Sequence, residues 1–326
     1  MTSVATIGRE RLTACHDGRA GNARQSLALA HAVSKQVDEC VLQPGLLARM
    51  FAPHRWPHPS QPFGRAFEAR LAQPPHIAIG CGRQAALATR LLRARGVRVA
   101  QILDPRLDPR LWDLLIVPEH DALRGGNVVT LRGSLHPVDD EYLMRALSAF
   151  PALALLPEPH SVVLVGGPSR HAAFELPAFV ALLKQVAACA RAEGGSLSVI
   201  ASRRTPSAWR QAVYATESDL PGVRWRDTGD GANPYAGLLA YADRLVCTPD
   251  SVNMLSEAAA TWAPLYLWSP ATIVGRPRHF IDTLLACGRA RAWDCSPQPF
   301  DVQPLRETAR IARTVRERLF LQGSAD

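Results

Sequence analysis

The chain has 326 residues, 47% of them hydrophobic, which is enough for two domains with real cores. Its formal net charge is +8, yet no basic run is interleaved with stacking aromatics, so nucleic acid is not an expected partner. No stretch approaches about 18 consecutive apolar residues and the first fifteen lack an apolar signal core, so a cytoplasmic protein is expected, peripheral to the inner face of a membrane at most.

The charge is uneven. Residues 1–150 hold 19 basic and 13 acidic residues (net +6), and residues 151–326 hold 18 and 16 (net +2). A basic first half suits an anionic substrate or an anionic membrane surface. The seven cysteines, at 15, 40, 81, 189, 247, 287 and 295, never show C-x-x-C spacing and read as reduced thiols, not a disulfide frame or a zinc site.

Arg11 to Cys15 reads as a first strand, followed by the loop HDGRAGN and a helix from about Arg24 to Val37. A glycine turn between strand and helix lets a ligand approach backbone; a plain tight turn explains it equally. Residues 43–75 read as irregular and basic. Arg49, Arg55, Arg65 and Arg70 stand among Leu47, Phe51, Trp56 and Phe63, a pattern open to contact with anionic lipid or to a packed loop with solvated arginines. His54 and His58 have helical spacing, but Pro53, Pro57 and Pro59 forbid the helix that would aim them at one metal.

His76 to Gly80, Val97 to Leu103 and Leu114 to Val117 read as further strands. The G-x-G at Gly80 to Gly82 lacks the third glycine of a dinucleotide fingerprint. Strands alternating with helices predict a doubly wound parallel sheet, whose carboxyl rim would carry Glu119, His120 and Asp121. His120 is a candidate general base there, or a histidine that holds its loop.

The proline-punctuated FPALALLPEPH places a boundary near residue 155, and a second α/β set follows to about residue 302. Its loops are GGPSRH after Ser161 to Val165, SRRTP after Leu197 to Ala201, GANPY, and TPDS after Arg244 to Thr248. All should share one rim, rich in the Gly, Ser, Thr, Asn and Arg that cradle phosphate. Asp250 or Ser251 caps the helix that follows TPDS, and its free N–H groups attract diphosphate. Glu257, two turns in, is acceptor-only and suits ribose hydroxyls; an ordinary capped helix with a solvated glutamate is the alternative. The last helix, roughly Pro304 to Leu321, carries an apolar stripe and must pack on something.

The motifs DGRAGNARQSLALA, GCGRQAALATR, DPRLDPRLWDLLIVPEHDALRGGNV, VLVGGPSRH, SRRTP, GANPY and ADRLVCTPDSVNMLSEA cover most of the chain. Through them it resembles the bacterial relatives of the plant mitochondrial-fission family named for elongated mitochondria. The resemblance implies a GT-B glycosyltransferase-like fold: α/β, two Rossmann-like doubly wound domains facing across a cleft, with the last helix, as a segment 303–326, returning toward the first domain. The TPDS stretch is similar to the nucleotide helix of the lipid-linked N-acetylglucosaminyltransferase of peptidoglycan synthesis. Carried over, Ser251 and Asn253 serve the phosphates, with Asp250 and Met254 beside them, and Glu257 takes the ribose. Gly166, Gly167, Ser169 and Arg170 form a second phosphate loop, joined by Ser202, Arg203, Arg204, Thr205 and Asn233. Trp262 stands where such sequences usually have glycine, and Asn22 where related transferases often have histidine.

The expected function is metal-independent transfer from a nucleotide-diphosphate sugar, uridine favoured, to a cell-envelope or lipid-linked acceptor. Asp17, Glu119 or His120 would be the base, and loop N–H groups, Arg170 and Arg204 would stabilise phosphate charge. No D-x-D motif occurs, so no metal is implied, and no resident cofactor is. A sugar-nucleotide 2-epimerase and a non-catalytic scaffold of GT-B shape are the alternatives.

Overall fold

The computed structural model describes residues 11–55, 63–215, 219–295 and 297–320. The first ten residues, Trp56, Pro57, His58, Pro59 and Leu321, on which parts of the sequence reading rest, lie outside the described residues. By internal contacts the chain forms two compact units, Met1–Pro137 with Glu307–Asp326, and Val138–Arg306. The fold class is α/β, two doubly wound parallel sheets of the GT-B type.

The first unit holds β1 (Leu12–His16), β2 (Val37–Val41), β3 (Ile77–Cys81), β4 (Arg98–Ile102), β5 (Leu114–Pro118) and β6 (Val128–Leu131), in the spatial order 2-1-3-4-5-6. Every pairing is parallel, and Leu12 stands opposite Val37 on one side and Ile77 on the other. Central strands β1, β3 and β5 are buried throughout, as both faces of a helix-covered parallel sheet must be. Edge strand β2 exposes Asp38 and Glu39, which hid it from a reading based on apolar runs.

One face is covered by the helix Ala20–Val33 and by the last helix, Thr308–Leu319, whose Ile311, Ala312, Val315 and Leu319 fill the core beside Leu29 and Val33. Polar ties fix its register: Thr308 Oγ1 donates to the His136 carbonyl at 2.8 Å and Arg316 Nη1 to that of Ala32 at 2.5 Å. The other face is filled by Phe63, Phe67, Leu87, Leu92 and Trp112.

Two readings change here. Residues 43–75, expected to be irregular, contain the helices Leu46–Phe51 and Arg65–Ala72, which at six and eight residues are too short to show a period. Phe63, placed among lipid-touching side chains, is fully buried and meets Phe67 edge-on at 5.2 Å. Leu47 and Phe51 of the same set are exposed, as are Leu46 and Met50.

The second unit holds β7 (His160–Val165), β8 (Ser196–Ala201), β9 (Arg224–Trp225), β10 (Arg244–Cys247), β11 (Leu265–Leu267) and β12 (Ala290–Ala292), in the order 12-11-10-7-8-9. Counted within the unit this is the 3-2-1-4-5-6 dinucleotide-fold order, whose direction reverses between β7 and β10. The helix Asp140–Ala149, grouped by the sequence reading with the first half, packs here. Leu143, Ala146 and Leu153 are buried, and Tyr241 Oη donates to the Leu147 carbonyl at 3.1 Å. Gly237 permits this approach, since a Cβ there would stand 2.6 Å from the Phe150 ring. Under β7 and β8, Phe179 stacks on Trp209 with ring centres 4.3 Å apart, and Trp268 lies against Phe174 at 4.7 Å.

Candidate functional site

The second sheet is wholly parallel, so the loops after β7, β8 and β10 leave one rim, and the crevice between β7 and β10 is its switch point. Asp250 ties these three loops together. Its carboxylate, with 0% of the side chain exposed, accepts from Thr248 Oγ1 at 2.7 Å and from Arg204 Nη2 at 2.6 Å. Thr248 Oγ1 in turn accepts from the Gly166 amide at 2.7 Å. A Cβ on Gly166 would lie 2.2 Å from that carboxylate, so glycine is required for the contact itself.

The β8 loop closes on the same backbone. Ser202 Oγ and Thr205 Oγ1 both donate to the Gly166 carbonyl, at 3.1 and 2.6 Å, and Arg210 reaches under the loop to the carbonyls of Thr205, Ser202 and Arg203. Ser202, Thr205 and Asp250, expected among the ligand-binding groups, are thus spent on the frame, while Arg203 and half of the Arg204 side chain face solvent. Gly167, at φ 148°, adopts a conformation other residues rarely reach, and a Cβ there would press on Pro206 at 3.1 Å. Beyond it Ser169 and Ala172 pair backbone to backbone, and Arg170 Nε donates to His171 Nε2 at 2.9 Å.

Across the crevice, Ser251 is the N-cap of the helix Val252–Ala259, with extended backbone. Its hydroxyl stands 3.5 Å from the Met254 amide, too long for a firm cap, and helix geometry leaves the Val252 and Asn253 amides without intrahelical acceptors. Glu257 lies further along, 4% exposed and already engaged within the fold. Asn233 accepts from the Tyr235 amide at 2.9 Å, just ahead of the helix Tyr235–Tyr241.

The far end of the Ser251 helix carries residues that the sequence reading passed over. Arg289 donates to the carbonyls of Ala259, Ala258, Thr261 and Ala263 at 2.8 to 3.1 Å, and Arg306 Nε to that of Ala260 at 2.9 Å. Burial pushes the Arg289 guanidinium down to about 10. It complements the helix dipole from within the core. In sequence it is one of two arginines in CGRARAW, about thirty residues downstream, with nothing to mark it. Thr248, which joins Gly166 to Asp250, carries no signal in the sequence beyond ending a strand and opening the TPDS loop.

Asp17, Glu119 and His120 belong to the first unit. Asp17 follows β1, next to β3 where that sheet's order reverses, and accepts from Asn22 Nδ2 at 2.9 Å and the Arg19 amide at 3.2 Å. Asn22 also fills the space over Gly82, where a Cβ would be 2.5 Å from its amide. Glu119 is half exposed beside Arg132 at 3.6 Å, and its carbonyl accepts from Arg124. His120 is half-buried and already engaged within the fold. Asp17 and Glu119 therefore emerge from different strands of the sheet.

The family described as Mitochondrial fission ELM1 matches residues 20–319. The Arabidopsis thaliana mitochondrial fission protein ELM1 is 30% identical over 284 residues, 76% of this chain but only 65% of the plant protein. An uncharacterized protein of Rickettsia prowazekii is 24% identical over 94% of this chain and 98% of its own length. Among solved structures, the UDP-GlcNAc 2-epimerase of Methanocaldococcus jannaschii superposes with a TM-score of 0.59 at 11% identity, covering 94% of this chain and 99% of that one. The same enzyme in complex with UDP-GlcNAc and UDP gives 0.52 at 10% identity, covering 94% and 99%.

Proposed function

The chain belongs to the mitochondrial fission ELM1 family, and from that premise we propose that it binds a nucleotide-diphosphate sugar, uridine favoured, at the rim of β7 and β10 and acts as a glycosyltransferase. One observation carries the reading. In a sheet of dinucleotide-fold order, a glycine turn at Gly166–Gly167 and the loosely capped start of the Ser251 helix flank the switch point. The diphosphate lies against the Val252 and Asn253 amides, Ser251 and the Ser169–Arg170 turn, and the Glu257 side takes the ribose. Arg204, held by Asp250 with half its side chain in solvent, answers phosphate charge. The archaeal epimerase that shares this fold was solved with UDP-GlcNAc and UDP, which agrees with the ligand class.

Transfer then needs an acceptor hydroxyl to lose its proton as the bond from the sugar's anomeric carbon to the diphosphate breaks. Of Asp17, Glu119 and His120, Asp17 is our choice of base, because it stands at its own sheet's switch point.

The test is calorimetric titration with UDP, ADP, pyrophosphate and UDP-sugars, followed by assay for sugar release. UDP at about 100 times its Kd should add about 2.7 kcal/mol of stability. Glu257→Gln should weaken UDP more than pyrophosphate. No binding of any nucleoside diphosphate at millimolar concentration would refute the reading. Binding without turnover would leave a scaffold that retains the donor site.

A further inference from the structure

The first unit has a cavity of about 460 Å³ at the opposite edge of its sheet from the strand ends that carry Asp17 and Glu119. Arg98, which opens β4, and Asp113, just before β5, mark that amino-terminal edge, and Arg55, Arg90 and Arg93 complete the charged lining. The volume lies in the range of small-ligand pockets.

Asp113 is the one carboxylate among the lining residues, and it is spent. It accepts from Arg93 Nε at 2.9 Å and from the Val99 amide at 2.8 Å, and Arg93 Nη1 is tied to the Arg110 carbonyl. Arg90 and Arg55 are held differently. Arg90 Nη1 donates to the Pro53 carbonyl at 2.6 Å, and its guanidinium lies 5.9 Å from the Trp112 ring. Arg55 Nη2 donates to the Arg90 carbonyl at 3.0 Å. Carbonyls fix these guanidinium groups in place without cancelling their charge, and each keeps further N–H donors. The helix Arg83–Arg93 ends here, but its dipole supplies only about half a negative charge against two cations. Burial, and then the Arg55 charge, lower the pKa of Arg90, as expected of like charges facing one cavity.

We propose that this cavity is a second anion site, separate from the nucleotide rim, in which Arg55 and Arg90 bind a phosphate-bearing ligand. Two pre-positioned planar forks match the several oxygens of a phosphate or pyrophosphate better than the two of a carboxylate. The group could be a free phosphorylated molecule or the headgroup of an anionic lipid, since the exposed Leu46, Met50 and Phe51 lie on the helix just ahead of Arg55.

The probe is inorganic pyrophosphate, titrated calorimetrically into the full chain at low salt. Arg55→Gln with Arg90→Gln should weaken or abolish one binding event by about ten- to a hundredfold, the range for lost charge-assisted hydrogen bonds, and UDP binding should be unchanged. Asp113→Asn should act in the opposite sense and tighten pyrophosphate several-fold, a gain that misfolding cannot imitate. Sedimentation with phosphatidylcholine vesicles, with and without phosphatidic acid, separates the sources. Binding to acidic vesicles that the double variant loses assigns a lipid headgroup. Pyrophosphate binding without vesicle binding assigns a free ligand. A double variant that binds pyrophosphate like the wild type, or no binding of either probe, overturns the proposal.

Discussion

The latch around Asp250 can be tested by a double-mutant cycle with Arg204. Because the Gly166 amide already donates to Thr248 Oγ1, the Thr248 hydroxyl proton must point at Asp250. In Asp250→Asn the new side chain has to use its carbonyl there, which turns its NH₂ toward Arg204 Nη2, donor against donor across a gap of 2.6 Å. The ion pair has one wholly buried partner and one that is 53% exposed. Charge centres about 4 Å apart at an effective dielectric constant near 20 attract by roughly 4 kcal/mol before costs. Solvent at the guanidinium and its lost rotamer freedom reduce this, and fully exposed pairs keep only about 0.2–1 kcal/mol. The coupling energy should therefore be about 1–3 kcal/mol, in the range of hydrogen bonds to charged groups. Urea unfolding followed by tryptophan fluorescence, for wild type, Asp250→Asn, Arg204→Gln and the double variant, measures it. Costs that add to within about 0.5 kcal/mol would show that the two side chains do not act together, and the account of the rim would fail.

Three other outcomes are expected. Gly167→Ala, at φ 148° and against Pro206, should destabilise by about 1–3 kcal/mol in thermal unfolding, whereas Ala at the open Gly231 should cost less. His160 is buried against Ser198 Oγ at 2.8 Å, and burial lowers its pKa despite Asp243. The unfolded chain then binds the proton more readily, so stability is full above about pH 6.5 and falls as pH drops toward the folded value; His160→Gln should flatten unfolding free energy measured across that range. Arg289→Met fills similar space but takes the donor from the Thr261 and Ala263 carbonyls, at about 1–3 kcal/mol each, partly offset by the relieved burial of a cation. A net loss of stability in urea is expected, and unchanged stability would remove Arg289 as the anchor of the Ser251 helix.

By itself the sequence determined the elements and their kind. Buried parallel strands such as His160–Val165 and Leu114–Pro118 are near-continuous apolar runs, and the turns after them are marked by Gly, Ser and Pro, so two α/β halves and the Gly166 and Ser251 loops were legible. Edge strands were not, since β2 and β12 gain their conformation from one neighbour and carry polar residues. Partnership also escaped the pattern. The stripe on Thr308–Leu319 says only that the helix is covered; the resemblance implied a return to the first domain, and the packing of Ile311 and Val315 on the β1 to β5 core shows which side chains cover it. The same holds within the candidate site. Local spacing drew Ser202, Thr205, Asp250 and Ser251 into one class of polar loop residue. Strand order then brought Gly166 beside Thr205 and Asp250, bound Ser202, Thr205 and Asp250 into a frame, and left half of the Arg204 side chain in solvent. Hydrogen-bond satisfaction in a buried place is a property of neighbours, and those neighbours are about forty to eighty residues apart in the chain.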